Sequence, residues 1–389
     1  MQRIDRSKTR AILRSRRPCL SLASAFVVAA LAPIPSSAQT PGEPVSWLDP
    51  QAVVVESREL AFGDVRFEAT MIDSVYLSSR LNDGWLLVAG LFEYRGAVVH
   101  RWGIYVAVSE PSGKGHFYTY DMRREEVRVD TSRLWVTDGR NTVGGGASSY
   151  WISLDLPDFA CALRLDNVLQ PWKGGDGLSK LSPDGKAFEF RALACPWGEV
   201  SGWLRMEGRT LEVQGQGLLE KALFVTPLNR LDSALYSVYA YSPEGTPQAE
   251  RWNLGMLDTT THEAYGSRRI PRLWVAKAGQ WLFTTTDYTL EASDIRQGVG
   301  EPYPAPRQIR IRARGSGFLL EAEYRALVLY NITDVLEEVP RFLRPVVALF
   351  AKRPVYLRFL GSLEGTVIFP DGRKEPIRLS GPFEYVIVR

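Results

Sequence analysis

The sequence predicts an all-β protein: two antiparallel β-barrels in tandem, with one helical insertion in the second. Three observations carry this expectation. Turn clusters recur from about Val45 onward, at Asn82-Asp83-Gly84, Asp138-Gly139, Pro183-Asp184-Gly185, Pro243-Glu244-Gly245 and Pro370-Asp371-Gly372, where proline presets φ and glycine accepts a positive one. Between Gln308 and Arg314, Ile309, Ile311 and Ala313 alternate with Arg310, Arg312 and Arg314, the period of two that marks a half-buried antiparallel strand. Lastly, Gly208-Arg209 is followed by Gly217 and Glu220, and Gly372-Arg373 by Gly381 and Glu384 at the same offsets, 164 residues later. Arg101-Trp102 and Arg251-Trp252, 150 residues apart, serve as a second pair of markers, and the shared order points to an internal duplication.

The elements divide as follows. Residues 1–38 read as a signal peptide: seven Lys/Arg from Arg3 to Arg17, an apolar run from Leu20 to Ile34, then small residues ending at Ala38. A run of fifteen residues interrupted by Pro33 falls short of the ~20 a bilayer requires, so a periplasmic or secreted protein is expected. The two halves are then 45–220 and 221–389. Within the second, Leu336, Val339, Leu343, Val346, Val347 and Phe350 have helical spacing, with Thr333 as N-cap. Arg341, Arg344, Lys352 and Arg353 flank this stretch, so 333–353 is either a helix packed on a barrel or a peripheral membrane contact.

Charge excludes one class of partner. Of 47 Lys/Arg and 44 Asp/Glu, seven bases and one acid lie in the leader, which leaves the mature chain at −3. Without a basic surplus, nucleic acid is not an expected partner. His100, His116 and His262 show no metal-ligand spacing. A Gly-x-Ser-x-Gly elbow is absent from the sequence, and Gly144-Gly145-Gly146 lacks the Lys-Ser/Thr ending of a phosphate loop. No metal and no cofactor is expected. Cys161 and Cys195 are the cysteines of the mature chain. In an oxidising compartment they are a disulfide candidate, and two small buried thiols are the equal alternative.

Leu165 to Gly217 adds a resemblance. Pro171 with the Gly174-Gly175-Asp176-Gly177 loop, the strand ending Arg191-Ala192-Leu193, Cys195-Pro196-Trp197 and Gly215-Gln216-Gly217-Leu218-Leu219-Glu220 resemble the carotenoid 1,2-hydratase and AttH-like family of tandem lipocalin proteins, which includes survival-factor-like proteins. The resemblance implies lipocalin-like barrels. It also implies functional positions: the hydratases' His-x-Trp motif falls on Cys195 and Trp197, and their Gly-x-Gly-Tyr-x-Asp motif puts Leu218 at the Tyr and Glu220 at the Asp. The Trp and the carboxyl class are kept; the His and Tyr are replaced.

The expected function is therefore that of an exported tandem lipocalin-like protein binding a hydrophobic small molecule or lipid. The alternative is a hydro-lyase or cyclase acting on an apolar substrate, with Glu220 as general acid and Trp197 stabilising positive charge through its ring face. Arg251, Trp252, Asp258, His262 and Tyr265 are candidates for the polar end of a ligand cavity, where a few placed polar groups orient an apolar ligand.

Overall fold

Alternation of apolar and polar residues between glycine- and proline-marked turns leaves the chain little choice but to zigzag, and it does so from Met71 to Val388. The computed structural model describes residues 55–388 apart from 64–69, 97–99, 183, 227–229, 231, 299–300 and 335–353. Two antiparallel sheets result, so the all-β expectation is met.

The first sheet comprises β1 (Met71–Leu81), β2 (Leu86–Arg95), β3 (His100–Ser109), β4 (Gly115–Met122), β5 (Arg128–Val129), β6 (Trp135–Thr137), β7 (Thr142–Gly146), β8 (Ser149–Leu156), β9 (Phe159–Asn167), β10 (Leu178–Lys180), β11 (Phe188–Met206) and β12 (Arg209–Val225). Their order is β4-β3-β2-β1-β12-β11-β9-β8-β7-β6-β5, with β10 on the side of β11. The second sheet holds β13 (Ala234–Tyr241), β14 (Trp252–Thr260), β15 (Arg269–Lys277), β16 (Gln280–Thr285), β17 (Tyr288–Arg296), β18 (Ala305–Gly315), β19 (Phe318–Asp334), β20 (Pro354–Ile368) and β21 (Lys374–Val388), in the order β16-β15-β14-β13-β21-β20-β19-β18-β17. In both, the first strand pairs with the last, β1 with β12 and β13 with β21. Each sheet curls around its own apolar core: Leu77, Leu91, Ile104, Leu163 and Leu204 in the first, Val238, Leu273, Ile311, Leu357 and Phe383 in the second.

The turns behave as their residues require. Asp83 and Gly84 take φ of 55° and 80°, and Gly139, Gly245 and Gly372 also have positive φ. Of the two expected markers of duplication, one falls at equivalent places in the two sheets and the other does not. Gly217 and Glu220 lie on β12, and Gly381 and Glu384 on β21, which are equivalent last strands. Trp102 instead lies on the third strand of its sheet and Trp252 on the second. The true counterparts are Gly90 on β2 and Gly255 on β14, over which Tyr105 and Trp274 of the next strands lie flat; a Cβ there would come within 2.2 Å and 1.9 Å of the ring atoms.

Two boundaries shift. β12 continues to Val225, so the halves divide in the stretch 226–233 and not at 220, because Glu220 stands inside a strand. Thr333 caps no helix: it lies in β19 opposite Tyr356. The remainder of the expected helix, 335–350, lies outside the described residues, as do the leader 1–38 and Arg341, Arg344, Lys352 and Arg353.

Candidate ligand site between the two halves

The period of two that fills each barrel turns the alternate residues outward, and here the outward faces meet each other. On β12, Leu219 points into the first core while Leu218 and Glu220 point out; on β21, Phe383 points in and Glu384 out. The outward residues of β1, β11 and β12 meet those of β13 and β15 in an aromatic layer that includes Trp172, Trp197, Tyr239, Tyr241 and Trp274. Trp172 packs 6.4 Å from Trp274 and 5.8 Å from Trp281, between ring centroids. Polar ties hold the seam: Arg80 donates to the carbonyls of Ser380 (3.2 Å) and Ser242 (3.1 Å), and Arg268 to those of Lys180 (2.7 Å) and Leu181 (3.0 Å).

Within this seam the repeated glutamates each receive an arginine from the adjacent strand of their own sheet. Arg191 of β11 binds Glu220, and Arg358 of β20 binds Glu384 at 2.5 Å. Glu220 also accepts from the Tyr239 hydroxyl across the seam, at 3.5 Å. Behind Arg191 lies a charged layer. Glu189 is fully buried between Arg191 (2.6 Å) and Arg272 of the other half, which also donates to Ser179 (3.1 Å) and Thr259 (3.3 Å). Burial pushes the Glu189 carboxyl up, but the two guanidiniums together hold it below the usual carboxylate range. Asp232, 4.0 Å from Arg191, is pushed up to about 7, by burial first and then by Glu189, against the pull of Arg191 and Arg272. A cleft with space for about one water opens among Trp172, Leu193, Glu220, Leu257, Arg272 and Trp274.

On the other side of the seam, Tyr76, Tyr105, Tyr330 and Tyr356 stand around Arg358 and Glu384. Their phenols are pushed up, Tyr356 to about 12, by burial first, with further contributions from the charges of Glu384 and Arg358. The Arg358 guanidinium lies 5.1 Å from the centre of the Tyr356 ring and donates to Asn331 (2.7 Å) and Thr333 (3.0 Å).

The residues singled out from the sequence are only partly brought together. Glu220 is in the seam, with one oxygen held by Arg191 and the other by Tyr239. Trp197 shares the aromatic layer, but its indole donates to Gln216 (3.1 Å), so it does not present its nitrogen to Glu220. The five candidates for a polar cavity end disperse. Arg251 pairs with Glu199 across the seam (2.6 Å), and Trp252 packs beneath Lys277, 5.0 Å from the ring centre. Six residues further along β14, about 20 Å away at strand rise, Asp258 is held by Arg269 at 2.9 Å. His262 accepts from the amide of Ala264 (3.0 Å), and Tyr265 shares a hydrogen bond with Thr226 (2.6 Å). Sequence proximity placed them together, whereas an extended strand separates them.

The disulfide candidate is corrected: Cys161 and Cys195 are both free and buried. Cys161 faces Leu204 in the register of β9 with β11, nine residues along β11 from Cys195. That is roughly 30 Å at strand rise, against the ~4–7 Å between Cα atoms that a disulfide spans. Burial pushes both thiols up, Cys161 to about 12.

A trio not evident from spacing brings Glu110, His116 and Glu207 together, with ligand atoms within 4.8 Å of one another. Lys114 already sits on Glu207 (2.9 Å) and Arg209 near Glu110 (3.7 Å), so charge balance there is met by side chains. Sequence reading also missed Arg191, Arg272, Asp232, Arg358 and the four tyrosines, since their partners come from distant strands. The outward phase of each strand was the available signal.

The Svf1 family profile matches residues 128–361. A ceramide-binding protein SVF1 from Yarrowia lipolytica is 23% identical over 215 residues, 48% of this chain; the match spans about half (51%) of that protein's length. Among solved structures, CghA in complex with Sch210972 is similar with a TM-score of 0.61 at 12% identity, covering 91% of this chain and 97% of that one. An AttH from Nitrosomonas europaea gives 0.58 at 16%, covering 89% and 99%. Kievitone hydratase from Nectria haematococca gives 0.55 at 11%, covering 90% and 98%. These likenesses establish the lipocalin-like tandem fold and bear out the resemblance read from Leu165 to Gly217.

Proposed function

The chain belongs to the Svf1 family, and we propose that it is an exported lipid-binding protein that holds a hydrophobic ligand of the ceramide class between its two halves. The observation that carries this reading is the seam itself. Each barrel has its own apolar core, and the faces between them combine an aromatic layer with hydroxyl and guanidinium groups. Such a pairing suits a long apolar chain with a small polar head, because apolar area gives the binding energy and a few polar groups set orientation. The relative named as ceramide-binding supports the ligand class.

The same reading includes export through 1–38 to the periplasm or the outside, supported by the order of charged, apolar and small residues there. It also includes a peripheral membrane contact through 333–353, supported by the exposed Leu327, Val328 and Ile332 on β19. Native mass spectrometry with lipid extraction, on protein taken from its own compartment, tests the function. A stoichiometric apolar compound is expected, together with saturable binding of a fluorescent ceramide. A clean unliganded mass and no ceramide or fatty-acid binding would overturn it. Cell fractionation tests export, and flotation with liposomes the membrane contact.

A further inference from the structure

We propose that Glu110, His116 and Glu207 bind a divalent ion of the zinc class, in the place where the ammonium of Lys114 stands. The three come from two tight hairpins of the first sheet: Glu110 follows β3, His116 lies near the start of β4, and Glu207 sits in the turn between β11 and β12. Their ligand atoms lie within 4.8 Å of one another. Both turns are fixed in the backbone. The Glu110 amide donates to the Lys114 carbonyl (2.8 Å) in the first, and Glu207 takes a φ of 50° beside Gly208 in the second. Only side-chain ends need to move for an ion to be gripped.

The imidazole sets this group apart from a patch of surface acids. The His116 side chain is 8% exposed and lies parallel to the Tyr118 ring, 6.4 Å away. Its Nε2 meets Glu110 at 2.8 Å. Its Nδ1 has no hydrogen-bond partner among the described residues and lies 3.8 Å from a Glu207 oxygen, too far for a hydrogen bond. An imidazole that donates from Nε2 carries a lone pair on Nδ1, so two electron-rich atoms meet across that gap with no proton between them. A cation there removes the repulsion, and two ligands of one tetrahedral zinc stand about 3.4 Å apart. Glu110 fixes the ring through its other nitrogen, as carboxylates do for metal-bound histidines.

Lys114 marks the position. Its ammonium is 2.9 Å and 3.0 Å from the two oxygens of Glu207 and 3.5 Å from Glu110, so both carboxylates already share one cation. That cation is replaceable: the Lys114 and Glu207 side chains are 43% and 45% exposed, and exposed ion pairs contribute little. Zinc brings two charges and binds imidazole nitrogen and carboxylate oxygen alike. Both carboxyls are held below the usual carboxylate range, Glu110 by the hydrogen bond from His116 first and Glu207 by that from Lys114 first, so they are ionised as ligands must be. A bound ion ties the two hairpins together. The first of them also leans on the other half, since a Cβ on Gly115 would come within 3.1 Å of the Tyr330 carbonyl oxygen.

The purified full chain, stripped with a chelator and titrated with zinc chloride in a calorimeter, tests this. A single saturable site is expected, with a rise in melting temperature, and a much weaker response to magnesium or calcium, which favour all-oxygen ligands. His116→Ala and Glu207→Gln are each expected to weaken zinc at least about tenfold, the scale of losing even an outer-shell partner. Lys114→Ala, at an exposed position, is expected to tighten zinc about threefold by removing the competing cation. No saturable zinc binding by the wild type overturns the proposal, as does binding that His116→Ala and Glu207→Gln leave unchanged. A Lys114→Ala chain that binds zinc no more tightly than the wild type puts the ion elsewhere and overturns it too. Should His116→Ala not fold, Glu207→Gln, at an exposed turn, decides in its place.

Discussion

Glu220 on β12 and Glu384 on β21 occupy the same place in the two halves and meet the same fate: each points out of its barrel and is bound by an arginine one strand away, Arg191 or Arg358. The repeat visible in the sequence is thus a repeated ion pair, installed twice in the surface where the halves meet. Breaking a buried pair strands the surviving charge, which costs about 3–5 kcal/mol, whereas removing both partners costs far less. Arg358→Met and Glu384→Leu are each expected to destabilise by about that amount. The double variant should lose clearly less than the sum of the two, as read by urea unfolding in a double-mutant cycle.

Asp232 ties stability to pH. Its folded-state value, raised from 3.8 to about 7, means that the native protein holds a proton the unfolded chain releases. The stabilisation is fully present below about pH 4 and is lost as pH rises through 7. Asp73, raised to about 6 chiefly by burial beside Lys221, acts in the same direction over a lower window. Asp232→Asn should therefore show a smaller fall in unfolding free energy between about pH 4 and pH 7 than the wild type. An unchanged slope would remove Asp232 from the account.

The two buried thiols predict a redox-indifferent protein. A chain beginning at residue 39 should show no fast reaction with a thiol reagent when native and two reactive thiols after denaturation. Its melting temperature should be the same with and without reductant. A lower melting point in reductant would indicate a bond that the geometry does not allow.

Gly381, the marker three residues before Glu384, explains its own recurrence. A Cβ at this position would come within 1.9 Å of the Tyr239 carbonyl oxygen on the neighbouring strand, a backbone atom that cannot swing aside. Gly381→Ala is expected to destabilise by about 2 kcal/mol or more, in the range of overpacked cores. Gly372→Ala, at a turn with open space but φ of 86°, should cost less, about 1 kcal/mol. Thermal melts of the two variants give the comparison.

The strands were legible because turn residues and alternation are local properties. The turn at Asn82-Asp83-Gly84 and the Gln308–Arg314 alternation appear in the structure as read. The site was less legible, because antiparallel register joins residues that no local pattern links: Arg191 meets Glu220, and Tyr330 of β19 stands near Tyr76 of β1. The repeat was half read. Arg-Trp pairs drew attention away from Gly90-x-x-Glu93 and Gly255-x-x-Asp258, which lie on equivalent second strands 165 residues apart. Arg251 to Tyr265 failed as a cluster for the opposite reason, since closeness in sequence along a strand means distance in space.

The pairing of first strand with last has a consequence for how the chain is made. β1 waits for β12, and β13 waits for β21, which ends at Val388. The second sheet cannot close until β21 has emerged, since this central strand is the last of its sheet in chain order. Until then, β13 presents an unpaired, apolar edge of the kind that associates with other chains. The nascent chain is therefore exposed during this interval, and it is a natural client for a chaperone that shields β-strand edges.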